Sequence, residues 1–379
     1  MSNPRHLMSY NNLSNYMNYR SIKEKVGQLF FIGIPGPDLD EQTQKLLANI
    51  QPGGICLFAR NIRQADQTRD LLDSITRTLP IQPFLSLDQE GGLVDRLRRI
   101  LKPMPAPGKF TKIADVRDFA GIVAEAVRIL GFNMNFAPVV DVIDQSRSKF
   151  SNGLHSRAFG KSADETIELA GAFLNVLQEN GCIGCIKHFP GLGASDVDSH
   201  EELPNVLINS DELNTIDLHP YQQLFKADEI AAVMIAHAAY PKLDLQETDQ
   251  SGKLLPSSLS FNIVTKLLRQ HLGFDGLVLT DDLEMGAILK NYGIGEACVL
   301  AILSGEDMLS ICAGVDSIYE GHAAIMTAVQ TGRISEARIE QSLKRIETAK
   351  SKLRQPLPFD ADRLNSLSTA IIKLNDRLN

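Results

Sequence analysis

Short apolar runs alternate with longer amphipathic stretches along this chain, and the alternation is regular enough to assign elements. Eight runs, at 26–34, 53–58, 83–89, 132–142, 181–189, 230–240, 274–283 and 307–311, have the length and character of strands in a parallel barrel. Between most of them apolar residues recur at helical spacing, over 65–77, 116–130, 163–179 and 259–272. Eight strands of one kind, interleaved with helices, predict an α/β fold of the single-domain (β/α)8 TIM type. A doubly wound open sheet is the rival, but no Gly-x-Gly-x-x-Gly follows an early strand. Ser335 is placed to cap a helix carrying Ile339, Leu343, Ile346 and Leu353. The segment after it is too short for a second domain, so residues 23–379 are expected to form one barrel domain with a C-terminal helical extension. Residues 1–22 are polar and aperiodic, and a mobile tail is expected there.

Polar residues fall where such a barrel keeps its chemistry. Asp88, Asp141, the Lys187/His188 pair, His237 and the Asp281/Asp282 pair all follow apolar strand cores at their C-terminal ends. The densest stretch is 187–200, K-H-F-P-G-L-G-A-S-D-V-D-S-H, where a strand gives way to an irregular loop with Gly191 and Gly193 as hinges. Asp281 closes G-L-V-L-T-D-D-L, which aims it into a pocket as a carboxylate nucleophile, kept ionised by cations such as Lys187 or Arg157. Asp282 suits a helix N-cap or a supporting role. His200 lies two residues after Asp198, and an Asp accepting an imidazole N–H fixes its tautomer and favours a group that donates and recovers a proton. Alone, that triplet is better explained by a solvated loop histidine. Asp88 can accept from two sugar hydroxyls, Arg96, Arg157 and Lys187 can donate, and Gly91-Gly92 lets substrate approach the backbone.

Charge narrows the partners. The 379 residues carry 46 acidic against 38 basic side chains, a net charge of -8, with no dense Lys/Arg run, which argues against nucleic acid or an anionic membrane and for a small polar substrate. The first twenty residues lack the apolar core of a secretory signal and no run of 18 apolar residues occurs, so a cytoplasmic protein is expected. Of five cysteines, Cys182 and Cys185 form a C-x-x-C inside an apolar strand without a second Cys/His pair, and all five are expected to be reduced thiols.

In chain order L-D-Q-E-G-G, N-F-A-P-V-V-D-V, S-R-A-F-G, the 187–200 stretch, V-M-I-A-H-A-A-Y-P and G-F-D-G-L-V-L-T-D-D-L-E-M-G-A resemble the motifs of glycoside hydrolase family 3, in particular its bacterial single-domain β-N-acetylhexosaminidases. The resemblance runs from about residue 21 to about 353. It implies a retaining double displacement with no metal or other cofactor, Asp281 as nucleophile, His200 as acid/base oriented by Asp198, and Asp88, Arg96, Arg157, Lys187 and His188 around the terminal sugar. The substrate class implied is GlcNAc linked β-1,4 to a muropeptide fragment from peptidoglycan recycling, cleaved by a monomer. Two places depart from the pattern: Leu192 stands where a second His is usual, and Leu93 and Asp95 replace the usual Arg and Gln ahead of a retained Arg96. A phosphorylase is the alternative, because a His acid/base does not repel phosphate, and a weakly catalytic sugar-binding protein is another.

Overall fold

The computed structural model describes residues 21–149, 153–199, 201–227 and 230–379, so the expected N-terminal tail lies almost wholly outside the described residues. Eight parallel strands close into a barrel: β1 Phe30–Ile32, β2 Gly54–Leu57, β3 Phe84–Leu87, β4 Met134–Asn135, β5 Ile183–Phe189, β6 Ala232–Ile235, β7 Leu277–Asp282 and β8 Met308–Ile311. Each pairs with its neighbours in sequence, and β1 pairs with β8 through Phe30 opposite Leu309. All eight fall inside the apolar runs, because a strand covered by helices outside and by the barrel core inside has no polar face to break the run. At the centre the Phe31 ring stacks on Phe84 at 5.7 Å and meets Phe136 edge-on at 5.3 Å.

The strand bounds are tighter than the apolar runs, for local reasons. Val26 and Gly27 belong to helix α1, Ile22–Gly27, where Ser21 and Glu24 form a reciprocal capping box. After β4, Pro138 cannot donate to a ladder, and the chain runs on beside β5 through single contacts such as Val140 N–H to the Lys187 carbonyl at 2.8 Å. A two-stranded hairpin, Gln89–Gly91 with Val94–Asp95, follows β3 and was not legible as a separate element.

Helices α2 Glu41–Ile50, α3 Ala65–Thr78, α4 Ile113–Leu130, α5 Ala163–Glu179, α6 Leu218–Ala227, α7 Ile294–Ser304, α8 Val315–Gln330 and α9 Glu336–Lys350 surround the barrel. The pattern at 259–272 resolves into a 3-10 turn, Ser257–Leu259, and a π-helical stretch, Asn262–His271. Ser335 caps α9 by accepting from the Arg338 N–H, and Ile339, Leu343, Ile346 and Leu353 are buried. The C-terminal extension is α10, Ala361–Leu378, which buries Leu364, Leu367, Ile371 and Leu374 and packs on α4.

Candidate active site

The C-terminal ends of the strands surround a cavity of about 160 Å³, lined among others by Asp88, Glu90, Arg96, Arg157, Lys187, His188, Asp198, Asp281 and Asp282. A drug-sized ligand site usually has several hundred Å³, so this volume suits one small ring rather than a chain. Asp88, Arg96, Arg157, Lys187, His188, Asp198 and Asp281, the described residues expected to act in catalysis or hold the substrate, all border this one cavity. His200 lies outside the described residues. Asp198, two positions before it, borders the cavity, and its backbone carbonyl accepts the N–H groups of Glu201 and Glu202 at 3.0 and 3.3 Å.

β7 is buried as far as Thr280, while Asp281 and Asp282 keep partial exposure at its end. For Asp281 the recessed position opposes ionisation, but His188, His237 and Lys187, with the Asp282 N–H at 2.8 Å, outweigh it and hold the carboxyl below its ordinary range. Lys187 is the permanent charge among them. His237 is wholly buried, with Nε2 3.1 Å from the Asp282 carbonyl and Nδ1 2.7 Å from the Ser258 hydroxyl, and burial pushes its pKa down. Neutral His237 therefore offers Asp281 a dipole rather than a charge. Arg157, the other expected cation for Asp281, is turned to a different carboxylate.

Asp282 is not a helix cap. Its carboxylate accepts the Glu284 N–H at 3.1 Å and the Cys312 N–H at 3.3 Å, joining the end of β7 to the end of β8, and the next helical turn is led by Met285. Burial, with Glu284 and Asp281 nearby, pushes its pKa up to about 7.

Lys187 Nζ sits 2.8 Å from Asp88 and 2.7 Å from Glu90, and Arg96 reaches Asp88 at 3.6 Å while lying over the Phe58 ring. Arg157 forks onto Glu90 with Nε at 2.8 Å and a second nitrogen at 2.9 Å. Glu90 is the site residue that sequence reasoning missed. It stands two positions after Asp88 in the quoted motif, and that spacing, which puts side chains on one side of a strand, was the available signal. Burial opposes its ionisation, but Arg157 and Lys187 more than offset this and hold its carboxyl far below the usual range.

His188 is fixed from behind. Its Nδ1 lies 2.7 Å from buried Asp141, which also accepts the backbone N–H groups of His188 at 3.3 Å and Leu192 at 2.6 Å. Asp141 accepting at Nδ1 leaves Nε2 for the cavity. The Lys187–His188 and Phe189–Pro190 peptide bonds are cis.

The glycines do other work than expected. Gly91 and Gly92 do not border the cavity; a Cβ on Gly91 would lie 2.3 Å from the Pro105 carbonyl, so the pair lets the hairpin pack against the 105–106 backbone. Gly191, at φ 134°, lies against Asp217, which a Cβ would meet at 2.5 Å. It is a close-packed point rather than a hinge. Leu192 is buried and borders the cavity, whereas Leu93 is 73 % exposed at the hairpin turn. Asp95 is buried and ties the hairpin to the Leu97 and Met104 N–H groups. All five cysteines are free and buried, and burial pushes the Cys182 thiol up to about 12, as befits neutral core residues.

The chain is 29% identical to a beta-hexosaminidase A of Pseudoalteromonas piscicida over 340 residues, 84% of this chain but only 56% of that longer protein. It is 32% identical to a beta-hexosaminidase of Psychromonas ingrahamii over 289 residues, 74% of this chain and 81% of the relative. A glycoside hydrolase family 3 beta-N-acetylglucosaminidase from Paenibacillus sp. str. FPU-7 superposes with a TM-score of 0.83 at 31% identity, over 94% of this chain and 69% of the other. With residues 21–349 matching the glycosyl hydrolase family 3 N terminal domain, the chain belongs to glycosyl hydrolase family 3.

Proposed function

We propose that this glycoside hydrolase is a retaining exo-β-N-acetylhexosaminidase that removes a terminal β-linked GlcNAc by double displacement. The observation that carries this is Asp281: a carboxylate whose surroundings favour its ionised form, at the end of β7, bordering the same cavity as five groups suited to a sugar's hydroxyls. Asp88 accepts from hydroxyls, Arg96, Arg157 and Lys187 donate, and His188 offers Nε2, its ring held by Asp141.

In the first step Asp281 attacks the anomeric carbon, the glycosidic C–O bond breaks, and the leaving oxygen takes a proton from His200. In the second, His200 takes a proton from water, the water oxygen bonds to the anomeric carbon, and Asp281 is released with net retention. Asp198 orients His200 and favours its protonated form. The small cavity suits one terminal residue, which makes the action exo. The substrate class is a GlcNAc β-1,4-linked to a muropeptide fragment, met in the cytoplasm by a monomer whose residues 23–379 act as one catalytic unit. Among the described residues no helix is long and apolar enough to cross a membrane.

Release of the aryl group from an aryl β-N-acetylglucosaminide and from the matched β-glucoside, in phosphate-free buffer, tests the proposal. Release from the N-acetyl substrate alone is expected. Cleavage that needs added phosphate and yields a sugar 1-phosphate marks a phosphorylase, and silence on both substrates overturns a glycosidase of this specificity.

A further inference from the structure

We propose that Glu90 is the positioning residue of the sugar-binding edge: one buried carboxylate that joins Lys187 and Arg157 and keeps two cations from two separate segments at fixed places in the cavity wall. The proposal rests on the cavity being the glycoside site. Glu90 sits in the hairpin strand Gln89–Gly91 and is 2 % exposed. Lys187 comes from β5, and Arg157 from the segment before α5, where its backbone N–H is held by the Leu154 carbonyl at 2.9 Å.

The contacts leave Glu90 little capacity for anything else. Its Oε1 accepts from Lys187 at 2.7 Å and from Arg157 at 2.9 Å, and its Oε2 accepts from Arg157 Nε at 2.8 Å. A carboxylate so engaged is neither a proton donor nor a free nucleophile. Its effect passes through its partners: the two cations repel each other, and the shared carboxylate lets them stand side by side. In this cluster Asp88 and Glu90 face Arg96, Arg157 and Lys187. Without the charge of Glu90, Lys187 and Arg157 lose the carboxylate they share, and Asp88 is the one acid left in this ion-pair cluster, with Asp281 and Asp141 acting on the cations through space. The net charge of the cluster, three cations against two carboxylates, rises from +1 to +2, which draws anions to the wall.

Three variants test this. Glu90→Gln keeps the shape and removes the charge, and is expected to lower kcat/KM on the order of 10- to 100-fold, mainly through KM. It is also expected to acquire a response to inorganic phosphate that the parent lacks: competitive inhibition, and a rise in Tm with phosphate that needs no turnover. Adding Lys187→Met to Glu90→Gln is expected to abolish that response. Glu90→Asp keeps the charge and shortens its reach, and should raise KM more than it lowers kcat with no phosphate response. A folded Glu90→Gln with parental KM and no phosphate-dependent Tm shift overturns the proposal, as does an unchanged KM in Glu90→Asp should the Gln variant fail to fold. A parent silent on the aryl glycoside would instead sink the glycosidase assignment while the phosphate experiment still reports on Glu90.

Discussion

Asp281 and Asp282 are adjacent in the chain and opposite in environment, and this contrast gives each a testable behaviour. Asp281 is held ionised by Lys187, two nearby imidazoles and the Asp282 N–H, while Asp282 is pushed up to about 7 by burial beside Glu284 and Asp281. A raised carboxyl favours the fold while protonated, so the contribution of Asp282 is present below about pH 4 and is lost as pH rises through about 7. Asp282→Asn stays neutral and keeps an oxygen for the Glu284 and Cys312 N–H groups. It should therefore raise stability at about pH 8 by about 1 to 2 kcal/mol, allowing for partial exposure, and much less at about pH 5. Thermal unfolding of both proteins at the two pH values decides this; an equal shift at both would refute it. At this scale Asp281, Lys187 and Asp88 were legible because each ends an apolar run. Glu90 was not singled out, since its partners lie 67 and 97 positions further along the chain, as the numbers 157 and 187 give, and only barrel closure brings them together.

The loop after β5 shows how an element is made from contacts its own sequence does not contain. Asp141 holds its start through His188 and Leu192, the Tyr240 hydroxyl donates to the Gly191 carbonyl at 2.8 Å, and Arg147 forks onto Asp217 at 2.7 and 2.8 Å behind it. Asp141→Asn keeps the size but loses the charge and turns one acceptor into a donor. It is expected to cost about 2 kcal/mol and to lower kcat, because His188 loses its orientation. Thermal unfolding and turnover measured together check this, and a variant with parental Tm and kcat would show that Asp141 does not hold the loop. All eight strands were legible as continuous apolar runs. Their limits were not, since the helix capped at Ser21 takes the start of the first run and a proline at position 138 cuts the fourth short. The hinges inferred from Gly191 and Gly193 proved to be points of tight packing, which depends on Asp217 and Val142 rather than on the glycines alone.

On the scale of the whole molecule, the barrel separates stability from chemistry. Asp88, Lys187, His188 and Asp281 stand at the C-terminal ends of strands, whereas α10 covers α4 on the outside and contributes nothing to the cavity wall. Removal of residues 361–379 uncovers apolar surface of α4 and loses the burial of Leu364, Leu367, Ile371 and Leu374. The expected result is a loss on the order of several kcal/mol, seen as a lower Tm, with kcat at a permissive temperature unchanged; a large fall in kcat there would place α10 in the functional machinery. The barrel was legible from its eightfold strand–helix alternation, while the docking of the last helix on α4 was not, because its short apolar stripe does not name its partner. The proposed reaction passes through a covalent intermediate on Asp281. It is tested most directly by reacting the protein with an activated 5-fluoro derivative of the GlcNAc substrate, which slows the second displacement, then digesting and mass-mapping it. One sugar adduct is expected, on the peptide that contains Asp281, and none in Asp281→Asn. An adduct on another residue, or undiminished turnover by Asp281→Asn, would contradict it.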